Sequence, residues 1–149
     1  PPHRLLFLTP MAALTVLRAT LAGGDVGDDE GGGCVYVSAA ATFVVVDGAL
    51  RDCHAGFGGA VFAEPFGLVA LSRGSSIADS TAAQSGGGVA SGDSVVLDAS
   101  SISNCHALGR AGHKRVDTTS MCASSNRFEC SLERTRREQT TRPNMSRID

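Results

Sequence analysis

Short apolar runs return along the first two-thirds of the chain in a fixed order. A glycine-rich element comes first, in Gly32-Gly33-Cys34-Val35-Tyr36-Val37, Gly58-Gly59-Ala60-Val61-Phe62-Ala63 and Gly86-Gly87-Gly88-Val89-Ala90-Ser91. Each leads to an apolar run: Phe43-Val44-Val45-Val46, Leu68-Val69-Ala70-Leu71 and Val95-Val96-Leu97. Each run leads to a third element: Leu50-Arg51-Asp52-Cys53-His54-Ala55, Ile77-Ala78-Asp79-Ser80-Thr81-Ala82 and Ile102-Ser103-Asn104-Cys105-His106-Ala107. Val35, Val61 and Val89 are 26 and 28 residues apart, while Leu50, Ile77 and Ile102 are 27 and 25 apart. A triplet that keeps its order through three copies marks a repeat architecture.

Valine and isoleucine favour the pleated chain, and apolar stretches this short fall below helix length. Three short strands per copy predict a coil whose strands pair in parallel with their equivalents in the next copy. The expected fold is all-β: a right-handed parallel β-helix, a solenoid of three to four coils. Alternation along a strand then assigns the inward positions. Val35, Val61 and Val89 form one stack. Val44 with Val46, Val69 with Leu71, and Val95 with Leu97 form a second. Leu50, Ile77 and Ile102 form the third. Tyr36, Phe62 and Ala90 are expected to point outward.

The motif pair on which this rests, G-G-[A/G]-x-[V/I] followed by [F/I/L]-x-[N/D]-x-x-A, resembles the repeats of polymorphic outer membrane proteins and related right-handed β-helix proteins. Gly58-Gly59-Ala60-Val61 matches the first family motif, and Gly32-Gly33-Cys34-Val35 and Gly86-Gly87-Gly88-Val89 match it loosely. Leu50, Ile77 and Ile102 stand where the second motif has Phe, and Cys53, Ser80 and Cys105 where it has Asn. The likeness covers about residues 31–107. It implies a secreted or surface-displayed, adhesin-like protein.

Residues 5–30 admit three readings. Leu14-Thr15-Val16-Leu17 and Leu21 lie on the repeat as an earlier coil, with Leu21 29 residues before Leu50. Thr9 as N-cap, Pro10, and Leu14, Leu17 and Leu21 on one face describe a capping helix. Arg4 before Leu5-Leu6-Phe7-Leu8, with small residues at 19–23, describes a signal peptide. The coil is the reading carried into the domain division: 1–13 an unassigned N-terminal segment, 14–112 the repeats and 113–149 a polar tail.

Composition changes the picture at the tail. Leu, Ile, Val and Phe occupy 30 of residues 1–112 but only 4 of the last 37. That is too little apolar surface to offset chain entropy, so residues 113–149 are expected to be disordered. Charge divides at the same place: 5 Lys and Arg against 10 Asp and Glu before residue 113, and 8 against 5 after it. The tail's basic residues are interrupted by acids, and a net charge of −2 gives no field that would draw nucleic acid. No apolar stretch reaches the ~18 residues of a membrane-spanning helix.

Several groups are candidates for chemistry. Gly23-Gly24-Asp25-Val26-Gly27-Asp28-Asp29-Glu30 is similar to a calcium-binding nonapeptide but occurs once, whereas such sites use adjacent copies. It reads as an exposed acidic loop with at most weak Ca²⁺ binding. Cys53-His54 and Cys105-His106 suggest zinc by type. In a stacked coil, however, they lie two strand spacings apart, ~9–10 Å. That is too far for one zinc, and beyond the ~7 Å Cα separation of a disulfide. The five cysteines leave at least one unpaired within the chain. Asp52, Asp79 and Asn104 form an edge ladder, which could hold Ca²⁺ as in polysaccharide lyases of this fold, with Arg51 and Arg73 serving a sugar acid. Asx residues equally form turn ladders, and that is the reading adopted. No catalytic, cofactor-binding or metal-ligating residue is assigned. The expectation is a structural or binding surface, cut from a longer secreted or surface protein, with carbohydrate or a cell-surface protein as partner. A calcium-assisted carbohydrate-active enzyme is the alternative.

Overall fold

The computed structural model describes residues 2–108, together with the strands Val116–Thr118 and Met121–Cys122. The described residues contain no helix, and the chain winds into a parallel β-solenoid of about four turns. The first sheet takes β1 (Leu6–Leu8), β4 (Val35–Val37), β8 (Val61–Ala63) and β12 (Val89–Ser91). The second takes β2 (Ala13–Leu17), β5 (Thr42–Val46), β9 (Leu68–Ser72) and β13 (Val95–Asp98). The third takes β3 (Thr20–Ala22), β6 (Ala49–Arg51), β10 (Ser76–Ala78) and β14 (Ser101–Ser103). The fourth takes β7 (His54–Phe57), β11 (Thr81–Ser85) and β15 (Cys105–Ala107).

Every pairing among these fifteen strands is parallel and joins one coil to the next, as in Val35↔Val61↔Val89 and Leu21↔Leu50↔Ile77↔Ile102. Of the three readings of residues 5–30, the structure shows the coil. It starts earlier than the repeat pattern suggested, because Leu6–Leu8 pairs with Val35–Val37. On the fourth side, coil one has only isolated bridges, from Asp25 to His54 and Gly31 to Phe57. Two strands of the tail, β16 (Val116–Thr118) and β17 (Met121–Cys122), run antiparallel to β15 and β14. The rest of the tail lies outside the described residues, and the expected disorder with it.

The structure corrects two expectations. The third element is two strands rather than one. Asp52, Asp79 and Asn104 adopt left-handed conformations, with φ of 53°, 51° and 49°, and turn the chain between β6 and β7, β10 and β11, and β14 and β15. The phase of β5 is also reversed. Phe43 and Val45 are fully buried, while Val44 and Val46 face outward. The register explains this: Phe43 pairs with Val69 and Val45 with Leu71, and both partners fill the lumen. An unbroken apolar run carries no alternation from which to read its phase.

The remaining inward positions are as expected. Val35, Val61, Val69, Leu50 and Ile77 are fully buried and form one cluster with Phe43 and Leu71. Burying each such side chain contributes on the order of 1.5–3 kcal/mol. The glycine pairs let coils approach closely. At Gly58, φ is 57° and a Cβ would strike the Val61 carbonyl, while at Gly59 it would strike the carbonyls of Gly87 and Thr81. Only glycine fits there.

Coil two is closed by a disulfide between Cys34 and Cys53, with Cα atoms 5.6 Å apart. Sequence reasoning missed this pair, because the cysteines were compared only at equivalent repeat positions. The equivalent pairs are Ala60 and Ser80 in coil three, and Gly88 and Cys105 in coil four. Cys105 is buried with a free thiol, so no Cys53–Cys105 bridge forms, as the coil spacing required. A cavity of about 480 Å³ lies at coil four, bordered by Gly88, Val89, Val95, Ile102 and Cys105 among others.

Two outcomes follow. Phe43→Asp should unfold the solenoid, because an unpaired buried charge costs several kcal/mol. Val44→Asp should leave the fold intact, and urea unfolding of both variants checks the phase. Gly88→Cys should form a second disulfide once the Ile102 methyl, 2.9 Å from the added Cβ, shifts aside, since that Cβ would lie 3.1 Å from the Cys105 sulfur and 3.4 Å from its Cβ. The added bridge should stabilise by about 3 kcal/mol, with the crosslinked peptide visible by non-reducing mass spectrometry.

Candidate functional site

The Asx ladder is a structural corner. Asp52, Asp79 and Asn104 occupy equivalent left-handed turns, and the Asn104 Nδ2–H donates to Asp79 Oδ1. Asp52 lies 3.8 Å from Arg51 across an exposed pair, which contributes little in water. Arg73 sits at the corner that follows the second sheet, beside Arg18 and Asp47. Arg51 and Arg73 therefore do not converge on one ligand.

The Cys-His pairs are divided by strand alternation. Cys53 and Cys105 point into the lumen, while His54 and His106 lie on the outer face in register with Thr81. His54 Nε2 is 2.9 Å from Asp28 Oδ1, and its Nδ1 is 2.8 Å from Thr81 Oγ1. The carboxylate only accepts, so Nε2–H donates to it, and in the neutral ring Nδ1 accepts from the Thr81 hydroxyl. A hydroxyl, an imidazole and a carboxylate thus stand in the order of an acyl-transfer relay. The Thr81 N–H, however, already donates to the Cys53 carbonyl at 2.9 Å and is not free to polarise a substrate. The chain of bonds ties coils one, two and three together.

The acidic loop is spread among separate partners. Asp25 Oδ1 accepts from the Gly27 N–H, Asp28 binds His54, and Glu30 pairs with Arg4 at 2.9 Å. Among the described residues, no three His, Cys, Asp or Glu side chains gather closely enough to hold a metal ion.

The densest outward constellation lies on the first sheet. Phe7, Tyr36 and Phe62 occupy one rung position of β1, β4 and β8. Their centroids are 5.1 and 5.3 Å apart, and Phe7 and Tyr36 are nearly parallel. The Arg4 guanidinium lies 5.0 Å from the Tyr36 centroid and 5.8 Å from that of Phe7, within reach of a cation–π attraction. The same side chain donates to the Gly31 and Gly32 carbonyls. The Tyr36 hydroxyl donates to Glu64 Oε1 at 2.7 Å, and Glu64 Oε2 accepts from the Ala39 N–H. Phe7 remains 57% exposed. Tyr36 and Phe62 were legible as outward residues. Phe7 and Arg4 were missed because residues 1–13 had not been placed on the repeat.

Comparison of the chain with protein-family models, curated proteins and solved structures finds no match. The outward strip is therefore read from its own chemistry. Aromatic and arginine side chains, held in place by neighbours and partly open to solvent, are the groups that carry most binding energy at protein surfaces.

Burial, then the Glu64 bond, push the Tyr36 phenol up to about 12. The Tyr36 hydroxyl, then the Ala39 N–H, hold Glu64 below its ordinary value. The phenol's contribution to stability is thus complete below its ordinary pKa near 10 and lost as pH rises toward about 12. That of Glu64 is present above the ordinary carboxylate value and lost as pH falls through the lowered one. Tyr36 is the single tyrosine of the chain, so ultraviolet titration reads it directly. Its midpoint should lie near 12, and Glu64→Gln should move it back toward 10.

Proposed function

We propose that the chain is a non-catalytic binding scaffold, an adhesin-like solenoid segment of a larger secreted or surface-displayed protein of the polymorphic outer membrane type. The observation that carries this reading is the Arg4–Phe7–Tyr36–Phe62 strip, ordered by Glu64 and Glu30 on a sheet whose coils are locked in register. Solenoids present such rows as extended surfaces, with each coil adding one rung. The buried Cys34–Cys53 disulfide supports an oxidising compartment. Carbohydrate or a cell-surface protein is the partner that this reading names.

The polar ladders favour this reading over a calcium-assisted enzyme. Asp79, Asn104 and His54 are occupied in bonds from coil to coil, Asp52 pairs with the neighbouring Arg51, and the two arginines stand at different corners. The test is a binding screen of the full chain against acidic polysaccharides and cell-surface proteins, with and without Ca²⁺. Binding without cleavage is expected, and Phe7→Ala should weaken it about tenfold or more with an unchanged circular dichroism spectrum. Polysaccharide cleavage by the wild-type chain would overturn the scaffold reading.

A further inference from the structure

The lumen explains why Phe43 and Val45 are apolar. It does not explain Val44 and Val46, which lie on the other side of the same strand. Their rungs are Thr15–Val44–Ala70–Val96 and Leu17–Val46–Ser72–Asp98, beside Ala13–Thr42–Leu68. Leu17 is 63% exposed and Val96 45%. Parallel strands that are apolar on both sides are the mark of a sheet covered on both faces.

At the C-terminal edge of this face the corner residues of successive coils are Arg18, Asp47, Arg73 and Ala99, so the charge alternates through the first three, and Asp98 stands one residue before the fourth. All four charged residues are exposed, and the ion pairs found among the described residues lie elsewhere. We propose that two copies of this chain pack face to face through the second sheet, about a two-fold axis parallel to its strands. Such an axis places coil one over coil four and coil two over coil three, and it keeps strand direction. Asp47 then meets Arg73 of the second copy twice over by symmetry, and Arg18 lies over Ala99, one residue past Asp98. Across the outer rungs Val44 faces Ala70, Val46 faces Ser72, Val96 faces Thr15 and Leu17 faces Asp98. A two-fold along the solenoid axis would instead set Arg18, Asp47 and Arg73 against Met11, Ala40 and Phe66, with no charge pairing. The complementarity therefore selects one symmetric, self-limiting arrangement.

The face is small. Four strands ~4.8 Å apart and about five residues long at ~3.3 Å each span roughly 19 by 16 Å, well under the ~800 Å² per partner of a standard interface. The dimer is accordingly weak, with Kd on the order of 0.1 mM.

Sedimentation equilibrium of the full chain tests this, with free thiols alkylated so that interchain disulfides cannot form. The wild type should show a concentration-dependent monomer–dimer equilibrium. Asp47→Arg and Arg73→Asp should each raise Kd about tenfold or more, because each sets like charges opposite one another. Both residue types already occupy this left-handed corner, with φ of 52° and 55°, so each substitution keeps the turn. Because each also brings like charges onto neighbouring coils of its own chain, circular dichroism checks the fold of each variant, and mixing the variants separates the two effects. Mixed in equal amounts, the two variants should associate with each other, since each carries the complement of the other, and pairing within one chain cannot produce that result. A wild-type chain that is monomeric at about 0.5 mM, single variants that dimerise normally, or a mixture no tighter than either variant would overturn the proposal. So would open-ended growth in mass, which would show that coils stack end to end through their free edges.

Discussion

Hydrogen bonding between coils is the constraint on which the rest of this structure depends. Within one turn no strand pairs with another, so backbone donors and acceptors of the strands are satisfied by the turn above or below. Parallel pairing in register then makes equivalence compulsory. A residue that faces the lumen in one coil must sit over a lumen residue in the next, and a corner must sit over a corner. The corners show how strict this is. Arg18, Asp47, Arg73 and Ala99 all adopt positive φ at the turn between the second and third sheets. Apart from glycine, only Asx residues tolerate that region easily, and other side chains cost roughly 1–2 kcal/mol. The stacked coils hold arginine and alanine there because a different turn would break register along the whole sheet.

The same equivalence explains how the lumen changes along the axis. One inward site beside the glycine pair is a disulfide in coil two, a methyl group opposite a hydroxyl in coil three, and a glycine against the Ile102 and Cys105 side chains in coil four. Ser80 replaces the sulfur of Cys53 and remains satisfied, because its hydroxyl donates to the Ala78 carbonyl at 2.9 Å. Cys105 is left with weak contacts to the Ser103 and Ile77 carbonyls, and burial raises its thiol pKa. The disulfide therefore fastens the centre of the stack, and packing loosens toward its C-terminal end.

The sequence reading reached the coil because a repeat is evidence at every position at once. Three valines at nearly constant spacing located one stack, and three Leu/Ile positions located another. It failed where a segment was uniform or unique. Phe43-Val44-Val45-Val46 offers no polar residue to fix its phase, which only pairing with Val69 and Leu71 decides. The Asp47-Gly48 dipeptide, a common hairpin turn by type, turns a solenoid corner here. Cys34 and Cys53 lie at different repeat positions, so their approach depends on how the coil closes rather than on any spacing along the chain. Arg4 and Phe7 belong to the first coil, whose fourth side is a loop and whose repeat signal is correspondingly thin.

Register constrains the lumen and the corners far more than the outer rungs, where any residue compatible with a strand is accepted. Coil four shows this freedom: Ala90 continues the rung of Phe7, Tyr36 and Phe62 without a ring. Rings elsewhere in that row therefore exceed what the fold requires, as do Val44, Val46 and Val96 on the neighbouring sheet. Each set lies beside charges, Arg4 and Glu64 for one and Asp47 and Arg73 for the other. An apolar outer rung exposed to water is a cost that folding alone gives no reason to bear. On a solenoid the informative residues are thus those that break the expected polarity of the outside, and here they fall on two adjacent faces of one rigid stack.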